Sequence, residues 1–476
     1  MVDLVVIGAG PAGMAGALAA AECGLEVVVV DEQAAAGGQI FRRTPESFGG
    51  SRATRPYRWA PDLIARFDAH PNIRVLYRST AFGIMRDREG SAVRLNVGVS
   101  AATGGELIPA KRILIATGSY DLPVAFPGWT KPGVMTVGAA QTLLKSQKVL
   151  AGRRVILAGS HPLLLIAADQ LLQAGAEITE IAFARGLPRA SEMGAALSAA
   201  PGHFEIFAEA GRAAARVVSR GVKVTTRTIV TAATGGAAVT GARLTQVDPA
   251  WHRVGPEREV SGDLLLLGYG FSPATDLARQ AGCEMRWNSR LGGWTVVTDE
   301  RFASTAADIF VAGEPTGVAG AEQSRAEGRI AGLHIAESLG SSASDHPRLL
   351  RRAHRALSSS GRFSAVVQAM FEPNREALGH LSDPEGTTVC RCELVDSGSL
   401  DTALRANPFI STANAAKLEC RSGMGPCQGR YCEGTVATRV AAARGIAVAD
   451  AGYFTAHVPV KPVPLSTYRM LGSTSD

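Results

Sequence analysis

Short, fully apolar runs alternate with glycine turns and alanine-rich stretches along most of the chain. The first run, residues 4–7, is followed by a glycine-rich turn, an alanine-rich segment and a second apolar run at 27–30. Runs of this length predict strands that are buried on both faces, and the segment between them is long enough for a helix. The same order recurs from residue 154, and further apolar runs occur at 113–116, 264–267 and 309–312. The pattern therefore predicts an α/β fold built on parallel sheets.

The turn after the first apolar run has the glycine spacing of a dinucleotide-binding unit. Gly8, Gly10 and Gly13 open the predicted helix, and Asp31 follows the second run, 23 residues after Gly8. Gly8 allows the tight turn, Gly10 lets a pyrophosphate approach the backbone, and Gly13 lets the helix pack on the strand. The helix N-terminus would face the phosphates, and the acid would receive a ribose hydroxyl. Because strand, helix, second strand and acid occur together, we predict a dinucleotide site here.

A second unit of the same order lacks the residues that this chemistry needs. His161 stands at the second glycine position and Leu164 at the third, and the strand that follows ends in Ala184 and Arg185 with no ribose acid. A functional NAD site is therefore not expected. The alternatives are an adenine nucleotide bound without hydride chemistry and an empty scaffold. We interpret His161 as a turn residue rather than a catalytic one.

Three further segments are predicted to return to the first dinucleotide site. Residues 37–42 contain a glycine pair that would run past a ribityl chain, and the strand at 113–116 closes on a Thr-Gly turn. The strand at 309–312 ends in Gly313 and Glu314, shortly before another helix. An acid there would lie on ribityl hydroxyls, with the helix start near an isoalloxazine ring. Glu314 is one methylene longer than the aspartate usual at this position, and the strand at 113–116 taken alone fits an ordinary buried strand and turn.

Four cysteines later in the chain have a spacing that gathers thiolates. Cys390 and Cys392 form a C-x-C pair, and after 34 residues Cys427 and Cys432 follow in a glycine-rich turn. Such glycines let backbone N–H groups approach sulphur, and we interpret the set as a 2Fe-2S site. The alternatives are a zinc site with four cysteine ligands and unrelated core thiols. Cys420 is a spare thiol that leaves the ligand set open.

Composition acts mainly by excluding classes of function. A chain of 476 residues is too long for one core, and its net charge of +6 comes from scattered arginines with no basic run that would bind nucleic acid. The apolar stretch at 4–20 has no basic flank and is broken by a Gly-Pro turn, so it predicts neither a signal peptide nor a transmembrane segment. Seven cysteines, an odd number concentrated in one region, favour a reducing compartment. The expected location is cytoplasmic, with contact to the inner membrane only through a partner.

The chain as a whole resembles the FAD-containing α subunits of multisubunit opine and amino-acid oxidases and dehydrogenases. The first fingerprint, residues 37–42, 126–135 and 268–271, and the run from Lys417 to Cys432 carry the resemblance. The last run is similar to the bacterioferritin-associated ferredoxin-like 2Fe-2S domain. The wider group includes the hydrogen cyanide synthase B subunit and the α subunits of D-hydroxyproline dehydrogenase, L-proline dehydrogenase and sarcosine oxidase. Cys420, His161 and Glu314 depart from the group's pattern.

The resemblance implies an α/β flavoprotein with two dinucleotide-binding domains and a small α-rich C-terminal 2Fe-2S domain. The expected FAD-binding domain is discontinuous and comprises residues 1–118 and 260–340, and a degenerate NAD-like domain is inserted at 119–259. A linker with a helix is expected at 341–379, and the cluster domain with its tail at 380–476.

The resemblance also assigns site residues. The expected metal ligands are Cys390, Cys392, Cys427 and Cys432. The expected cofactor-binding residues are Gly8, Gly10, Pro11, Ala12, Gly13, Asp31, Glu32, Gly38, Gln39, Arg42, Ala116, Thr117, Gly118, Gly313, Glu314 and Gly320. No catalytic residue is assigned.

For function, the resemblance implies a division of labour between polypeptides. A separate β subunit flavoprotein would oxidise the C–N bond of an opine or related secondary amino acid, and this chain would relay the electrons through FAD and the 2Fe-2S cluster. An FMN at the subunit interface and a small ferredoxin-like γ subunit are further expectations, whereas NAD is not expected. A flavin accepts electron pairs and a 2Fe-2S cluster carries single electrons, which suits such a relay. The alternatives are a self-contained NAD(P)H-dependent flavin oxidoreductase, a hydrogen cyanide synthase subunit and a redox-inert scaffold.

Overall fold

The computed structural model describes residues 1–48, 57–89 and 92–472. Its strands, in chain order, are β1 (Val2–Ile7), β2 (Val27–Val30), β3 (Ile73–Leu76), β4 (Thr80–Glu89), β5 (Ala92–Ala101), β6 (Gly104–Ile115), β7 (Ser119–Asp121), β8 (Val134–Thr136), β9 (Arg154–Gly159), β10 (Glu177–Phe183), β11 (Lys223–Thr226), β12 (Thr228–Thr234), β13 (Gly241–Gln246), β14 (Arg258–Ser261), β15 (Leu264–Gly268), β16 (Phe271–Pro273), β17 (Met285–Asn288), β18 (Gly293–Val296), β19 (Ile309–Val311), β20 (Thr388–Cys390) and β21 (Val395–Asp396).

Its α-helices are α1 (Pro11–Glu22), α2 (Ala60–Ala69), α3 (Val137–Gln147), α4 (Leu163–Gln173), α5 (Ala190–Ala199), α6 (Phe204–Ser219), α7 (Asp276–Gln280), α8 (Ala321–Ser338), α9 (His346–Phe371), α10 (Arg375–Gly379), α11 (Ser397–Ala406), α12 (Ala413–Cys420), α13 (Glu433–Arg444) and α14 (Leu465–Gly472). Within the described part of the chain, no helix is both long enough and apolar enough to cross a membrane. The α/β class predicted from the apolar runs is confirmed.

The chain divides into two compact units. Unit 1 comprises Met1–Tyr120, Ser272–Gln368 and Ala456–Asp476, and unit 2 comprises Asp121–Phe271 and Ala369–Thr455. Both units are discontinuous in sequence, so each is completed by segments that come from distant parts of the chain.

A seven-stranded sheet forms the centre of unit 1. Its order is β3-β2-β1-β6-β5-β4, and β19 pairs with the end of β6. The strands β1, β2, β3 and β19 run parallel to their neighbours, whereas β4, β5 and the first part of β6 are antiparallel. The buried parts of the central strands, Leu4–Ile7 of β1, Val27–Val30 of β2 and Ile113–Ile115 of β6, are apolar because both faces of the sheet are covered there, which is the usual environment of parallel strands. The carboxyl ends of β1 and β6 therefore meet at one edge.

Helices α1 and α8 of unit 1 pack backbone against backbone. A Cβ added at Gly328 would lie 2.0 Å from the carbonyl oxygen of Ala12, and one at Gly332 would lie 2.2 Å from that of Gly16. Every residue from Ala12 to Ala21 is buried. Alanine and glycine dominate this surface because larger side chains would separate the two helices.

Residues 456–472 lie on the antiparallel part of the unit 1 sheet. The amide of Val460 donates to the carbonyl of Phe82 at 2.9 Å, and the hydroxyls of Thr467 and Ser100 are 2.8 Å apart. Tyr468 packs on the Phe82 ring with a centroid separation of 5.7 Å. This segment therefore covers apolar surface of β4 and β5.

Unit 2 is built on a second parallel sheet. The strand order is β11-β10-β9-β15-β8, and β12, β13 and β14 form a separate antiparallel sheet. Residues after α10 form a small helical region in which α11, α12 and α13 surround buried leucine and valine side chains. Cys390 and Cys432 belong to this apolar cluster, and each is 1% exposed.

The close approach of α1 and α8 gives a stability prediction. The change Gly328→Ala should lower the free energy of unfolding by about 1–3 kcal/mol, because the added methyl group overlaps a backbone carbonyl that cannot move alone. Gly361→Ala is the matched control, since the nearest atom to its added Cβ is 4.0 Å away, at the side-chain oxygen of Gln323. Thermal and denaturant unfolding of both variants would check this, and equal stability of the two would contradict the packing described.

Candidate functional site

The turn from β1 into α1 contains glycines of two kinds. Gly8 has a φ of +104°. A Cβ added to Gly8 would lie 2.4 Å from the carbonyl oxygen of Ala116. A Cβ added to Gly13 would lie 1.8 Å from the carbonyl oxygen of Gly8. At Gly10 the nearest atom to an added Cβ is the Cα of Gly38, 3.9 Å away. The protein itself therefore requires the first and third glycines, whereas the space beside Gly10 is open to a ligand.

Asp31 fixes this turn from the end of β2. One of its carboxylate oxygens accepts the amide of Ala9 and the other accepts the amide of Gln33, both at 2.6 Å. Burial raises the pKa of Asp31, against the effect of these two hydrogen bonds. Glu32 points outward and pairs with Lys461. Contact of Asp31 with a ribose hydroxyl stays a prediction, since the structure assigns the carboxylate a role in holding the backbone.

The segment that contains Gly38, Gln39 and Arg42 lies against the same turn. The amide of Gly37 donates to Ala9 at 2.9 Å, and a Cβ at Gly38 would lie 2.9 Å from the Cα of Gly10. The guanidinium of Arg42 donates to the side-chain oxygens of Gln33, at 2.6 Å, and of Gln39. Arg42 is thus held by two amide groups near the Asp31 carboxylate.

The second group of predicted residues lies at the start of α8. Glu314 accepts a hydrogen bond from the hydroxyl of Ser119 and another from the amide of Gly320 at 3.2 Å. Burial raises the pKa of Glu314 above its usual value. A Cβ added at Gly313 would lie 2.8 Å from the Cβ of Ala12, so the residues before α8 touch the first turn of α1.

Thr117 and Gly118 follow β6, beside Ala116. The hydroxyl of Thr117 donates to the carbonyl of Ala274 at 2.6 Å. At Gly118, with a φ of +73°, an added Cβ would meet no atom within 4 Å, and the same holds for Gly320. Gly118 and Gly320 therefore both border open space.

These contacts bring the sequence-predicted residues of unit 1 to one edge of its sheet. Both α1 and α8 begin at a glycine without a side-chain cap, Gly10 and Gly320, and Pro11 occupies the first turn of α1. The first N–H groups of a helix have no acceptor within the helix, and the helix dipole favours an anion there. The open space, the two uncapped helix starts and the neighbouring carboxylate of Glu314 fit a dinucleotide with a pyrophosphate and hydroxyl groups.

Two contributors to this site were not predicted from the sequence. Ser119 donates to Glu314, and Glu327, which is 3% exposed, accepts the amide of Gly313 at 2.8 Å. Burial raises the pKa of Glu327 to about 7. The only sequence signal for Glu327 is a glutamate between an alanine and a glycine on a helix face that must be buried.

The corresponding turn of unit 2 has no open amides of this kind. The N–H groups of Ser160 and His161 both donate to the carbonyl of Gly268, at 3.1 and 3.0 Å, and the Ser160 hydroxyl donates to Tyr269. The half-buried His161 accepts the amide of Leu163 at 3.2 Å, and burial lowers the pKa of its imidazole to about 4. The groups that would face a phosphate are thus used within the protein.

The structure brings the four predicted cysteine ligands together as two contacting pairs. Cys390 pairs with Cys432, and Cys392 pairs with Cys427. The hydrogen bond with Cys432 and the nearby backbone N–H groups lower the pKa of Cys390 to about 5, and the same contact raises that of Cys432. A Cβ at Gly425 would lie 2.3 Å from the Cβ of Cys392, so only glycine permits this approach.

Cys420 has hydrogen-bond partners other than these four cysteines. Its thiol donates to the carbonyl of Ala416 at 2.9 Å and lies 3.3 Å from the hydroxyl of Ser422. Among the described residues, no group of three or more His, Cys, Asp or Glu side chains is arranged to hold a metal ion. The 2Fe-2S assignment therefore stays a prediction, supported by thiol proximity rather than by a four-sulphur shell.

Comparison with known proteins identifies the family. The family model described as pyridine nucleotide-disulphide oxidoreductase matches residues 2–340. The chain belongs to the pyridine nucleotide-disulphide oxidoreductase family. This membership makes it an oxidoreductase and supports FAD as the cofactor of the unit 1 site.

Within this family the chain has relatives over nearly its full length. It is 34% identical to the A subunit of opine oxidase from Agrobacterium tumefaciens (strain Ach5), covering 99% of this chain and 92% of that protein. It is 29% identical to hydrogen cyanide synthase subunit HcnB of Pseudomonas aeruginosa, covering 98% of each. The crystal structure of L-proline dehydrogenase from P. horikoshii superposes with a TM-score of 0.66 over 97% of this chain and 78% of that one. At 20% identity this last likeness concerns the fold.

The open space at Gly10 gives a prediction for flavin binding. Gly10 has φ −78° and ψ −173°, which any residue can adopt, so Gly10→Val should fold with stability close to that of the unchanged protein. The added side chain should fill the pyrophosphate space and weaken FAD binding by at least about tenfold, or about 1.4 kcal/mol. FAD content after purification and titration of the apoprotein would measure this.

Gly13→Ala separates a packing effect from a ligand effect. Its added Cβ would overlap the Gly8 carbonyl, so this variant should lose stability as well as flavin. Full FAD stoichiometry in Gly10→Val would refute the assignment of the site.

Proposed function

We propose that this chain is the electron-relay subunit of a multisubunit flavoenzyme that oxidises the C–N bond of an opine or a related secondary amino acid. The observation that carries this proposal is the contrast between the two dinucleotide turns. The turn of unit 1 has open space at Gly10 and an uncapped helix start, whereas the amides of Ser160 and His161 in unit 2 are bonded to Gly268. This contrast supports a flavin site at the unit 1 turn and favours an electron donor other than a nicotinamide bound at the unit 2 turn.

The full-length relatives support a partner as that source of electrons. Two of them are named as subunits, of opine oxidase and of hydrogen cyanide synthase. We infer a partner β subunit flavoprotein with the amine-oxidising site, an FMN at the shared interface and a small ferredoxin-like γ subunit. A cytoplasmic location agrees with free cysteines throughout the described chain. A hydrogen cyanide synthase subunit is the second candidate, favoured by the 29% identity over 98% of the chain.

The residues of unit 1 would hold the flavin and set its surroundings. When bound, FAD supplies the ability to take up an electron pair. The first-turn amides of α1 would bind its pyrophosphate, Glu314 would accept ribityl hydroxyls, and Arg42 would offer positive charge beside the turn. These residues bind and orient a cofactor, and we assign none of them to bond cleavage in an amine.

The four cysteines of unit 2 would hold the one-electron carrier. A 2Fe-2S cluster supplies single-electron transfer when it is held by four thiolates. The donor set fits this use because backbone N–H groups of Gly423, Glu393 and Cys392 surround the sulphur of Cys390 and favour its thiolate. Zinc is the alternative metal for four thiolates, and it would give a structural site without redox chemistry.

The electron source can be tested by anaerobic reduction of the flavin. The chain should be purified alone and after co-expression with an oxidase-type flavoprotein from a neighbouring reading frame. An opine or proline analogue should bleach the flavin only in the complex, because the amine site is expected in the partner. NADH should bleach the flavin in neither preparation at a useful rate.

Two results would contradict the relay. Rapid bleaching of the isolated chain by NADH would favour a self-contained reductase. Amine oxidation by the isolated chain with turnover equal to that of the complex would remove the need for a partner. Cyanide release by the complex would favour the hydrogen cyanide synthase alternative.

The cluster assignment predicts different results for two cysteines in one region. Cys392→Ser should abolish or strongly weaken iron-sulphur absorbance in anaerobically purified protein, because a hydroxyl is a poor ligand for iron in such a cluster. Cys420→Ser is the matched control and should keep the absorbance, since that thiol is bonded to Ala416 and Ser422. Loss of the cluster only in the Cys420 variant would overturn the ligand set. Colourless protein with stoichiometric zinc would support the structural metal instead.

A further inference from the structure

Glu327 is a fully enclosed carboxyl group for which no cofactor contact was predicted. It lies on α8 between Ala326 and Gly328, where the backbones of α1 and α8 approach most closely. Only 3% of the residue is exposed. A carboxyl group in such a place is costly when charged, unless its charge is well paired, so burial favours the protonated form.

The hydrogen bonds of Glu327 converge on the turn before α8. One carboxyl oxygen accepts the amide of Gly313 at 2.8 Å and lies 2.8 Å from the hydroxyl of Thr316. The other oxygen accepts the side-chain amide of Gln323 at 2.9 Å. The 3₁₀ turn Glu314–Thr316 is therefore bonded to Glu327 at both ends, and this turn carries Glu314.

The hydroxyl of Thr316 lies within hydrogen-bond distance of two oxygen atoms. Its oxygen lies 2.8 Å from the carbonyl oxygen of Gly313 and 2.8 Å from Glu327. A threonine hydroxyl has one hydrogen, and a carbonyl oxygen can only accept. Both contacts can be full two-centre hydrogen bonds when the Glu327 oxygen carries a proton and donates it to Thr316, while Thr316 donates to Gly313.

We propose that Glu327 is a positioning residue that, as a neutral acid, clamps the Gly313–Thr316 turn and so presents Glu314 as the charged carboxylate towards the flavin. This inference rests on the proposed flavin site, and it adds a residue that acts through Glu314 rather than by touching the cofactor. A neutral Glu327 avoids a second negative charge beside Glu314 in a region closed to water.

The charges around Glu327 agree with a neutral acid. Burial raises its pKa to about 7 and the negative charge of Glu314 adds to this rise, against the lowering effect of the hydrogen bonds from Gln323, Thr316 and Gly313. No lysine or arginine is hydrogen bonded to it in the described residues. Arg325, on its own helix, stacks over Trp59 at 4.2 Å.

Several titratable groups on the elements packed around α8 are paired elsewhere. Strand β19 has none, and α1 has only Glu22, which pairs with Arg66. On β6, Lys111 pairs with Asp3 and Arg112 with Asp308, and the remaining groups on β6 and α8 that do not bond Glu327 are Glu106, Glu322, Arg329, His334 and Glu337.

The pH dependence of FAD binding follows from this arrangement. FAD would cover the turn and bring negative phosphate groups, which favours the protonated form of Glu327 further. By linkage, FAD must then bind more weakly as the pH rises through the ionisation of Glu327, by up to about tenfold for each pH unit by which FAD raises its pKa. The stability of the folded apoprotein should depend on pH in the same direction. Because the pKa of Glu327 is higher in the folded state than in the unfolded state, its contribution to stability is greatest at low pH and falls as the pH rises through about 7.

The test compares three variants of the full chain by FAD titration of the apoprotein between about pH 6 and pH 9. The unchanged protein and the control Glu337→Gln, at an exposed site on the same helix, should lose FAD affinity towards high pH. Glu327→Gln cannot titrate, so its FAD affinity should be nearly constant over this range. Glu327→Ala should bind FAD at least about tenfold more weakly at every pH, because the turn loses its clamp.

Two further readouts separate positioning from simple stability. Hydrogen exchange of the amides at 313–316 in the apoprotein should quicken in Glu327→Ala and change little in Glu327→Gln. The infrared band of a protonated carboxyl should be present in the unchanged protein at pH 6 and absent in Glu327→Gln.

Each result has a definite consequence. An FAD affinity of Glu327→Gln that varies with pH like that of the unchanged protein would overturn the proton assignment, and normal FAD binding by Glu327→Ala would overturn the clamp. If Glu327→Ala does not fold, the comparison of the unchanged protein with Glu327→Gln still decides the outcome. Failure of the unchanged protein to bind FAD at any pH would instead refute the proposed flavin site.

Discussion

The contact between the backbones of α1 and α8 is the constraint on which the candidate site depends. Two helices can approach this closely only where the side chains between them are very small or absent, and Ala12, Gly16, Gly328 and Gly332 meet that condition. The approach brings the first turns of both helices to the carboxyl edge of one sheet, so their N-terminal amide groups can act on one ligand. A wider spacing would leave the helix starts apart.

The two parallel sheets show how one topology can be kept while its binding chemistry changes. In unit 1 Gly8 follows β1 and in unit 2 Gly159 ends β9, and in each unit a short turn leads from the strand into the helix. The difference lies in the carbonyl of Gly268, which accepts the amides that a phosphate would otherwise use. The two turns therefore differ in the orientation of a few N–H groups although their topology is the same.

The sequence predicted the α/β class because strands buried on both faces leave continuous apolar runs. It also predicted which turn has room for a dinucleotide, since the second turn has a histidine and a leucine where glycines are needed. The role of Glu327 could not be predicted, because a single glutamate in a helix carries no sign of what it faces. The bond between Ser119 and Glu314 joins residues 195 positions apart, and no local pattern encodes it. The pairing of Cys390 with Cys432 likewise depends on how the intervening helices fold, and sequence spacing does not encode it.

The return of residues 456–472 to the sheet of unit 1 has a consequence for synthesis of the protein. These residues leave the ribosome after nearly all of both units has been made, yet they cover Phe82 and the apolar side of β4 and β5. Until then that surface is exposed on a nascent chain whose other strands are already available to fold. Unit 1 therefore reaches its final form only when translation has passed through unit 2, and chaperones have a defined patch to protect in the interval.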